Sequence, residues 1–304
     1  MPETPQDPSQ ILAHHLGDFD ARDADAVIAA FQEAAEALLS NPARRGSCVT
    51  LPRQGRLVMT GDLHDHGLNL ARILRYASLD ERAEDHLILH EVIHSPNLVN
   101  QRDLSIRMLA QVARLVVRYP GRVHVLQSNH ELAQYLGDGV TKSGVNLTEA
   151  FELGAEMIYP GRAEAVLDAA KVYIRSLLLA VKAPNGLLAA HSLPAPRKLK
   201  DFDPTILDRL PEEDELSSGG HAHLMVWGRR HDDALADALA EAWGVTTFLL
   251  GHQKAEMGYF TEGKRILVLA SDHTHGYCLP VDLEQPASLD TYTMNLHPLN
   301  AVLL

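Results

Sequence analysis

Three short apolar stretches, each followed at once by polar residues, constrain the fold of this 304-residue chain more than any other feature. Residues 57–60, 85–94 and 122–127 are predicted to be strands, and helical patterns with apolar residues three and four apart separate them. Strand–helix alternation of this kind predicts an α/β fold with a parallel sheet covered by helices. Because the carboxyl ends of parallel strands lie at one edge of a sheet, the polar residues that follow them are predicted to converge.

The polar residues at these strand ends are of the types that bind metal ions. Asp62 and His64 follow the first stretch two positions apart, so that both side chains project to the same side and can hold one ion. By itself this pattern is also typical of a polar turn. It gains weight because Glu91 follows in the second stretch, while Asn129 and His130 follow the third. Three successive strand ends of this kind predict a metal site.

Five short motifs occur in order along the chain, and each follows a predicted strand. They are Gly61-Asp62-Leu63-His64, His90-Glu91-Val92-Ile93-His94-Ser95, Ser128-Asn129-His130-Glu131, Ala190-His191-Ser192 and Gly251-His252-Gln253. In these motifs the chain resembles the calcineurin-like metallophosphoesterases, and most closely the branch that contains the serine/threonine phosphoprotein phosphatases. The resemblance covers roughly residues 55–285. It implies two mixed β-sheets packed face to face and flanked by helices, a four-layer sandwich.

The resemblance also implies a centre of two divalent metal ions that hydrolyses a phosphate ester through an activated bridging hydroxide. His130 matches the acid that protonates the leaving group. Oxygen and nitrogen donors together suit Mn, Fe, Zn or Mg and do not select among them. By resemblance, Asp62 and His64 hold the first ion, Asn129, His191 and His252 hold the second, and Glu91 bridges the two where the family has an aspartate.

Four residues depart from the family pattern where that pattern grips or orients the substrate. Ser95, Gln127 and Leu250 stand in place of arginines that bind phosphate oxygens through paired hydrogen bonds. His94 stands in place of the aspartate that orients the catalytic histidine. These departures favour a second hypothesis, a phosphoesterase-fold binding protein with altered or no catalysis. Candidate substrate-binding residues are Arg229, Arg230, His94, Asp272 and His273.

A third and weaker hypothesis comes from the segment His90-Glu91-Val92-Ile93-His94, which matches the His-Glu-x-x-His motif of zinc metalloproteases. That chemistry requires both histidines on one face of a helix. The segment follows a short run of leucine and isoleucine and is ended by Pro96, a context that favours a strand.

Composition narrows the class of partner. The formal net charge of −13 argues against a broad nucleic-acid groove, which needs clustered lysine and arginine. The longest apolar runs are too short to span a bilayer, and residues 1–10 do not resemble a secretory signal. With only Cys48 and Cys278, neither a disulfide framework nor a thiolate zinc site is expected. We therefore expect a cytoplasmic protein. The family resemblance implies a phosphorylated substrate of unknown class.

The sequence predicts the following organisation. Residues 1–50 form an arm and a helix, residues 51–285 form the metallophosphoesterase domain, and residues 286–304 form a tail. Within the domain we expect a helical insertion at about 140–183 and a loop at about 194–220. Strands at 256–260, 266–270 and 277–281 are expected to complete the second sheet in antiparallel fashion.

Overall fold

The computed structural model describes residues 7–142 and 144–304, which form two large sheets, a small hairpin and their covering helices. The helices are α1 (Pro8–Leu16), α2 (Ala24–Leu39), α3 (Gly67–Ala77), α4 (Ile106–Arg118), α5 (Asn129–Leu136), α6 (Leu147–Ile158), α7 (Ala163–Arg175), α8 (Glu213–Leu216), α9 (His221–Trp227), α10 (Asp233–Trp243) and α11 (Leu289–Asn295). The strands are β1 (Arg44–Arg45), β2 (Cys48–Thr50), β3 (Arg56–Asp62), β4 (His86–His90), β5 (Val123–Leu126), β6 (Thr141–Lys142), β7 (Val145–Asn146), β8 (Ala180–Ala183), β9 (Leu187–Ala190), β10 (Thr247–Leu250), β11 (Tyr259–Glu262), β12 (Ile266–Leu269), β13 (Tyr277–Asp282) and β14 (His297–Pro298). Short 3-10 helices lie at Pro196–Asp201, Pro204–Asp208 and Leu299–Ala301.

Both large sheets are mixed. The five-stranded sheet has the order β14-β13-β3-β4-β5, in which β3, β4 and β5 are parallel and β13 is antiparallel to β3. The seven-stranded sheet has the order β1-β2-β8-β9-β10-β12-β11, with β9, β10 and β12 parallel. Strands β6 and β7 pair with each other as a small antiparallel hairpin.

The alternation of side chains along each strand divides the interior into layers. Leu57 and Met59 of β3 pack between the two sheets together with Leu249 of β10. Val58 points the other way, into a cluster with α1–α4, α6 and α7. Phe248 packs under α8–α10 on the outer face of the seven-stranded sheet. The molecule is therefore a helix–sheet–sheet–helix sandwich, as predicted.

The N-terminal region is more ordered than the sequence suggested. The helix expected within residues 1–50 is α2, which has Asp23 as its N-cap, accepting from the backbone N–H groups of Asp25 and Ala26. The expectation of a loose arm is wrong for residues 8–16, which form α1 against α3 and α4. Residues 1–6 lie outside the described residues. Only Ile11, His15 and Leu16 of α1 are buried, too few to predict a helix from periodicity.

Strand β13 corrects the predicted topology. It pairs with β3 in the five-stranded sheet instead of completing the second sheet, and β12 runs parallel to β10. The helical insertion expected at about 140–183 ends earlier, because its last helix, α7, stops at Arg175 and residues 180–183 form β8. The division into domains stays a prediction, but β1, β2 and β14 belong to the large sheets. Among the described residues, no helix is long and apolar enough to cross a membrane.

Candidate metal centre

The predicted ligands come together at the carboxyl ends of strands from both sheets. Asp62 ends β3, Glu91 follows β4 and Asn129 begins α5 directly after β5. His191 and His252 come from the other sheet, after β9 and β10. Three overlapping sets of donors each have their atoms within 4.8 Å of one another; they are Asp62, His90 and His191; His64, Glu91 and His130; and Glu91, His191 and His252.

The two sheets meet at this site because Gly61 lets their backbones approach. A Cβ atom at Gly61 would lie 2.2 Å from the carbonyl oxygen of Leu269. The Ser271 N–H donates to the Asp62 carbonyl (3.0 Å), and the Ser271 hydroxyl accepts from the Gly61 N–H (2.9 Å). These bonds join β3 to the segment after β12, so ligands from both sheets share one rigid edge.

Several site residues have left-handed backbone conformations, which cost about 1–3 kcal/mol each for residues other than glycine. The φ angles are 42° for His64, 47° for Glu91, 61° for His94 and 66° for His252. The backbone N–H groups of Leu63 and His64 hold one such turn by donating to the Glu91 carbonyl at 3.0 and 2.8 Å. Strain of this kind concentrates at functional sites, where it aims side chains.

Glu91 lies at the centre of the site and is almost fully buried. Its Oε1 is 3.5 Å from His130 Nε2, and its Oε2 is 3.7 Å from His191 Nε2 and 3.9 Å from His64 Nε2. Burial and the neighbouring Asp62 carboxylate raise the pKa of Glu91 well above its ordinary value. Two carboxylates this close in a buried site call for a cation to offset their repulsion.

His64 presents a lone pair to this centre. Its Nδ1–H donates to the Ile93 carbonyl at 3.0 Å, which leaves Nε2 unprotonated in the neutral ring and directed toward Glu91. A backbone carbonyl that fixes the outer nitrogen is the usual arrangement behind a metal-ligating histidine.

His90 makes an equivalent contact to His191, and sequence analysis did not assign it to the site. Its Nε2–H donates to the Thr60 carbonyl (2.9 Å), so its Nδ1 accepts the Nδ1–H of His191 (3.0 Å). His191 Nε2 then carries a lone pair 2.9 Å from the Asn129 amide oxygen. A divalent ion bound by both atoms would relieve this contact between two buried acceptors, and the nitrogen and oxygen donors present fit such an ion.

His252 completes the set beside a guanidinium group. The Arg229 Nε–H donates to His252 Nε2 at 3.0 Å, and burial together with this charge lowers the pKa of His252 to about 4. Burial and the nearby His252 lower the pKa of His191 well below its ordinary value. Both rings are neutral at pH 7, the state in which imidazole binds a metal.

The architecture around this centre matches known phosphatase structures. A protein serine/threonine phosphatase from Saccharomyces cerevisiae, with similarity to human phosphatase PP5, aligns with a TM-score of 0.65 at 13% identity. That alignment covers 90% of this chain and 89% of the other. The chain has a phosphatase fold. The cold-active protein-tyrosine phosphatase of a Shewanella species aligns with a TM-score of 0.53 at 15% identity, covering 82% and 80% of the two chains. No protein-family model and no curated protein sequence matches.

This phosphatase fold is incompatible with the metalloprotease hypothesis. His90 is the last residue of β4, and residues 91–94 form a loop instead of a helical turn. The two histidines therefore do not share a helix face, and His94 instead contacts His130 with 2.7 Å between their Nδ1 atoms. The protease interpretation is wrong.

The phosphatase fold places the remaining candidate residues around the rim. Arg230 is exposed, and its backbone N–H donates to Gln253 Oε1 at 3.2 Å. His273 donates from Nε2 to the Ala255 carbonyl at 2.9 Å. Asp272 is half-buried, and its charge contributes to the raised pKa of Glu91. Substrate contact by these residues stays a prediction.

Proposed function

We propose that this protein hydrolyses phosphate esters with two divalent metal ions held at the strand ends. The observation that carries the proposal is the position of Glu91 Oε2, which lies 3.9 Å from His64 Nε2 and 3.7 Å from His191 Nε2, the histidines proposed for the two different ions. The proposed ligands are Asp62, His64 and Glu91 for one ion and Glu91, Asn129, His191 and His252 for the other. Such ions, when bound, neutralise phosphoryl oxygens and lower the pKa of bound water.

The side chains around the ions have distinct proposed tasks. His130 belongs to one of the donor sets, with Nε2 3.5 Å from Glu91 Oε1, and its proposed task is to give a proton to the departing alcohol. Arg229 brings a fixed positive charge next to His252, close to where phosphoryl oxygens would lie. We propose that Arg229 binds phosphate oxygens, a task that the three arginines perform in the family pattern.

One observation supports the second hypothesis, a binding protein on the same fold. Ser95, Gln127 and Leu250, which replace the three family arginines, are all buried. They bring no cation to the substrate, and one well-placed electrostatic donor is worth about a hundred- to a thousandfold in rate. Such a protein would bind metal and a phosphorylated ligand without turning it over.

Metal analysis combined with an aryl-phosphate panel separates the two hypotheses. Protein supplemented with Mn²⁺ is assayed against phosphate monoesters and diesters and against phosphotyrosine and phosphoserine peptides. We expect turnover that chelation removes and that the Asp62→Asn and His252→Ala variants lack. Retained turnover in both variants would refute the proposed site. Two bound ions without turnover of any ester would favour the binding protein.

The cellular setting is a further part of the proposal. Cys48 and Cys278 are both buried and unpaired, which suits a reducing compartment such as the cytoplasm. Burial raises the pKa of the Cys48 thiol to about 11, so this residue is not a reactive thiolate. Metal identity is open between Mn, Fe, Zn and Mg, and so is the substrate class.

A further inference from the structure

A chain of three side chains leads away from the metal centre behind His130. The Nδ1 atoms of His130 and His94 are 2.7 Å apart, and His94 Nε2 is 3.1 Å from the amide oxygen of Gln134. His94 and Gln134 are each about 3% exposed, so bulk water does not compete for these bonds. The positions are held by two unrelated elements, the loop after β4 and helix α5.

The Gln134 amide oxygen determines the direction of the hydrogen bonds among Gln134, His94 and His130. An amide oxygen only accepts, so His94 Nε2 carries the hydrogen that Gln134 receives. The Nδ1 of neutral His94 is then a lone pair, and it accepts the Nδ1–H of His130. The Nε2 of His130 is the remaining nitrogen, and it lies 3.5 Å from Glu91 Oε1.

We propose that Gln134 and His94 are positioning residues that hold His130 in the Nδ1–H tautomer, so that Nε2, the nitrogen that takes up and gives the proton, faces the metal centre. An aspartate next to His130 would impose the same direction with a negative charge. In this protein the uncharged side chains of His94 and Gln134 impose that hydrogen-bond direction through their positions. The consequence for catalysis rests on the proposed function, in which His130 protonates the leaving group.

The loop and the helix are tied together so that this geometry is maintained. Glu131 on α5 accepts through Oε1 from the backbone N–H groups of Val92 (2.8 Å) and Ile93 (3.3 Å). The His94 N–H donates to the Ser105 hydroxyl at 3.0 Å. These hydrogen bonds hold the backbone that carries His94 in a fixed position relative to helix α5, and so keep the His94 and His130 rings in contact.

Histidine tautomers can be measured without any activity. In Zn²⁺-loaded protein with ¹⁵N-labelled histidine, long-range ¹H–¹⁵N spectra distinguish Nδ1–H from Nε2–H rings, and His94→Gln and His130→Gln variants assign the signals. We expect Nε2–H for His94 and Nδ1–H for His130. Gln134→Met should turn His94 into a mixture, whereas Gln134→Glu, which keeps an acceptor oxygen, should preserve the wild-type pattern. An Nδ1–H ring at His94 in the wild-type protein, or no change in Gln134→Met, would overturn the proposal.

A leaving-group comparison tests the catalytic consequence. Phenyl phosphate needs protonation of its leaving group far more than 4-nitrophenyl phosphate does. Gln134→Met should lower turnover of phenyl phosphate about tenfold more than that of 4-nitrophenyl phosphate, a part of the roughly 10²–10⁴-fold supplied by a general acid. Gln134→Glu should restore the wild-type ratio. Gln111→Met, a matched change of a half-buried glutamine on helix α4, should leave the ratio unchanged.

The possible results separate this inference from the proposed function. Equal losses on both esters in Gln134→Met would mean that Gln134 only supports the fold, and the inference fails. If the wild-type protein hydrolyses none of the phosphate esters in the panel above, the proposed function fails, and the spectra alone then decide whether Gln134 and His94 set the tautomer of His130.

Discussion

Replacing His90 by leucine tests how His191, a proposed ligand of the second metal ion, is held in place. His90 is fully buried between the Thr60 carbonyl and His191 Nδ1. Leucine fills a similar volume but leaves both of those groups unpaired, at about 1–3 kcal/mol each. We therefore expect the free energy of unfolding without metal to fall by about 2–6 kcal/mol. With its outer nitrogen free, His191 can adopt either tautomer, and metal affinity should fall about 10–100-fold.

Calorimetric titration with Zn²⁺ and denaturation by urea measure these two quantities separately. His90→Gln is the matched control, because a glutamine amide can donate to Thr60 and accept from His191, and we expect it to keep affinity within about threefold. Wild-type affinity in His90→Leu would refute the positioning role. Loss of one whole ion in His90→Gln would also refute it, by showing that His90 is a ligand itself.

Three further predictions concern the metal-bridging role of Glu91, phosphate binding by Arg229, and the stability of the fold at acidic pH. Glu91→Gln should bind one ion or none while staying folded, and Glu91→Asp should keep at least one, as metal analysis and circular dichroism would show. Arg229→Ala should lower kcat/KM for an aryl phosphate by about 10–100-fold, and Arg229→Lys by less; equal activity in all three proteins would remove Arg229 from the site. Burial lowers the pKa of the His124 imidazole from 6.5 to about 3, so at mildly acidic pH the unfolded chain binds a proton there and the folded protein does not. The free energy of unfolding therefore falls as the pH drops below 6.5. Between pH 7.5 and 5.0 the loss of unfolding free energy should be about 2 kcal/mol smaller in His124→Leu than in the wild-type protein. An equal loss in both proteins, measured by urea titration, would contradict this role of His124.

The centre of the fold was predictable because its signals are local. The apolar run of β3 predicts the strand itself, and because Asp62 stands at its end, the same segment also predicts where this proposed ligand lies. The same holds for β4 with Glu91 and for β10 with His252. Parallel topology then brings these ends to one edge without further information from the sequence.

What could not be predicted depends on partners distant in the chain. The apolar pattern of β13 suits either sheet, and only pairing with β3 decides which one it joins. His90 looked like part of a protease motif because its contacts to Thr60 and His191 exist only after the two sheets meet. His94 looked like the loss of an orienting group until helix α5 placed Gln134 behind it. Its role cannot be read from residue type alone.

Anomalous diffraction from crystals grown with Mn²⁺ or Zn²⁺ tests the central claim most directly. The proposed function predicts two peaks per chain, one bounded by Asp62, His64 and Glu91 and the other by Glu91, Asn129, His191 and His252. Both peaks should disappear after chelation and return on adding metal. No peak at these residues, or a single peak that Glu91 does not touch, would contradict the dinuclear centre.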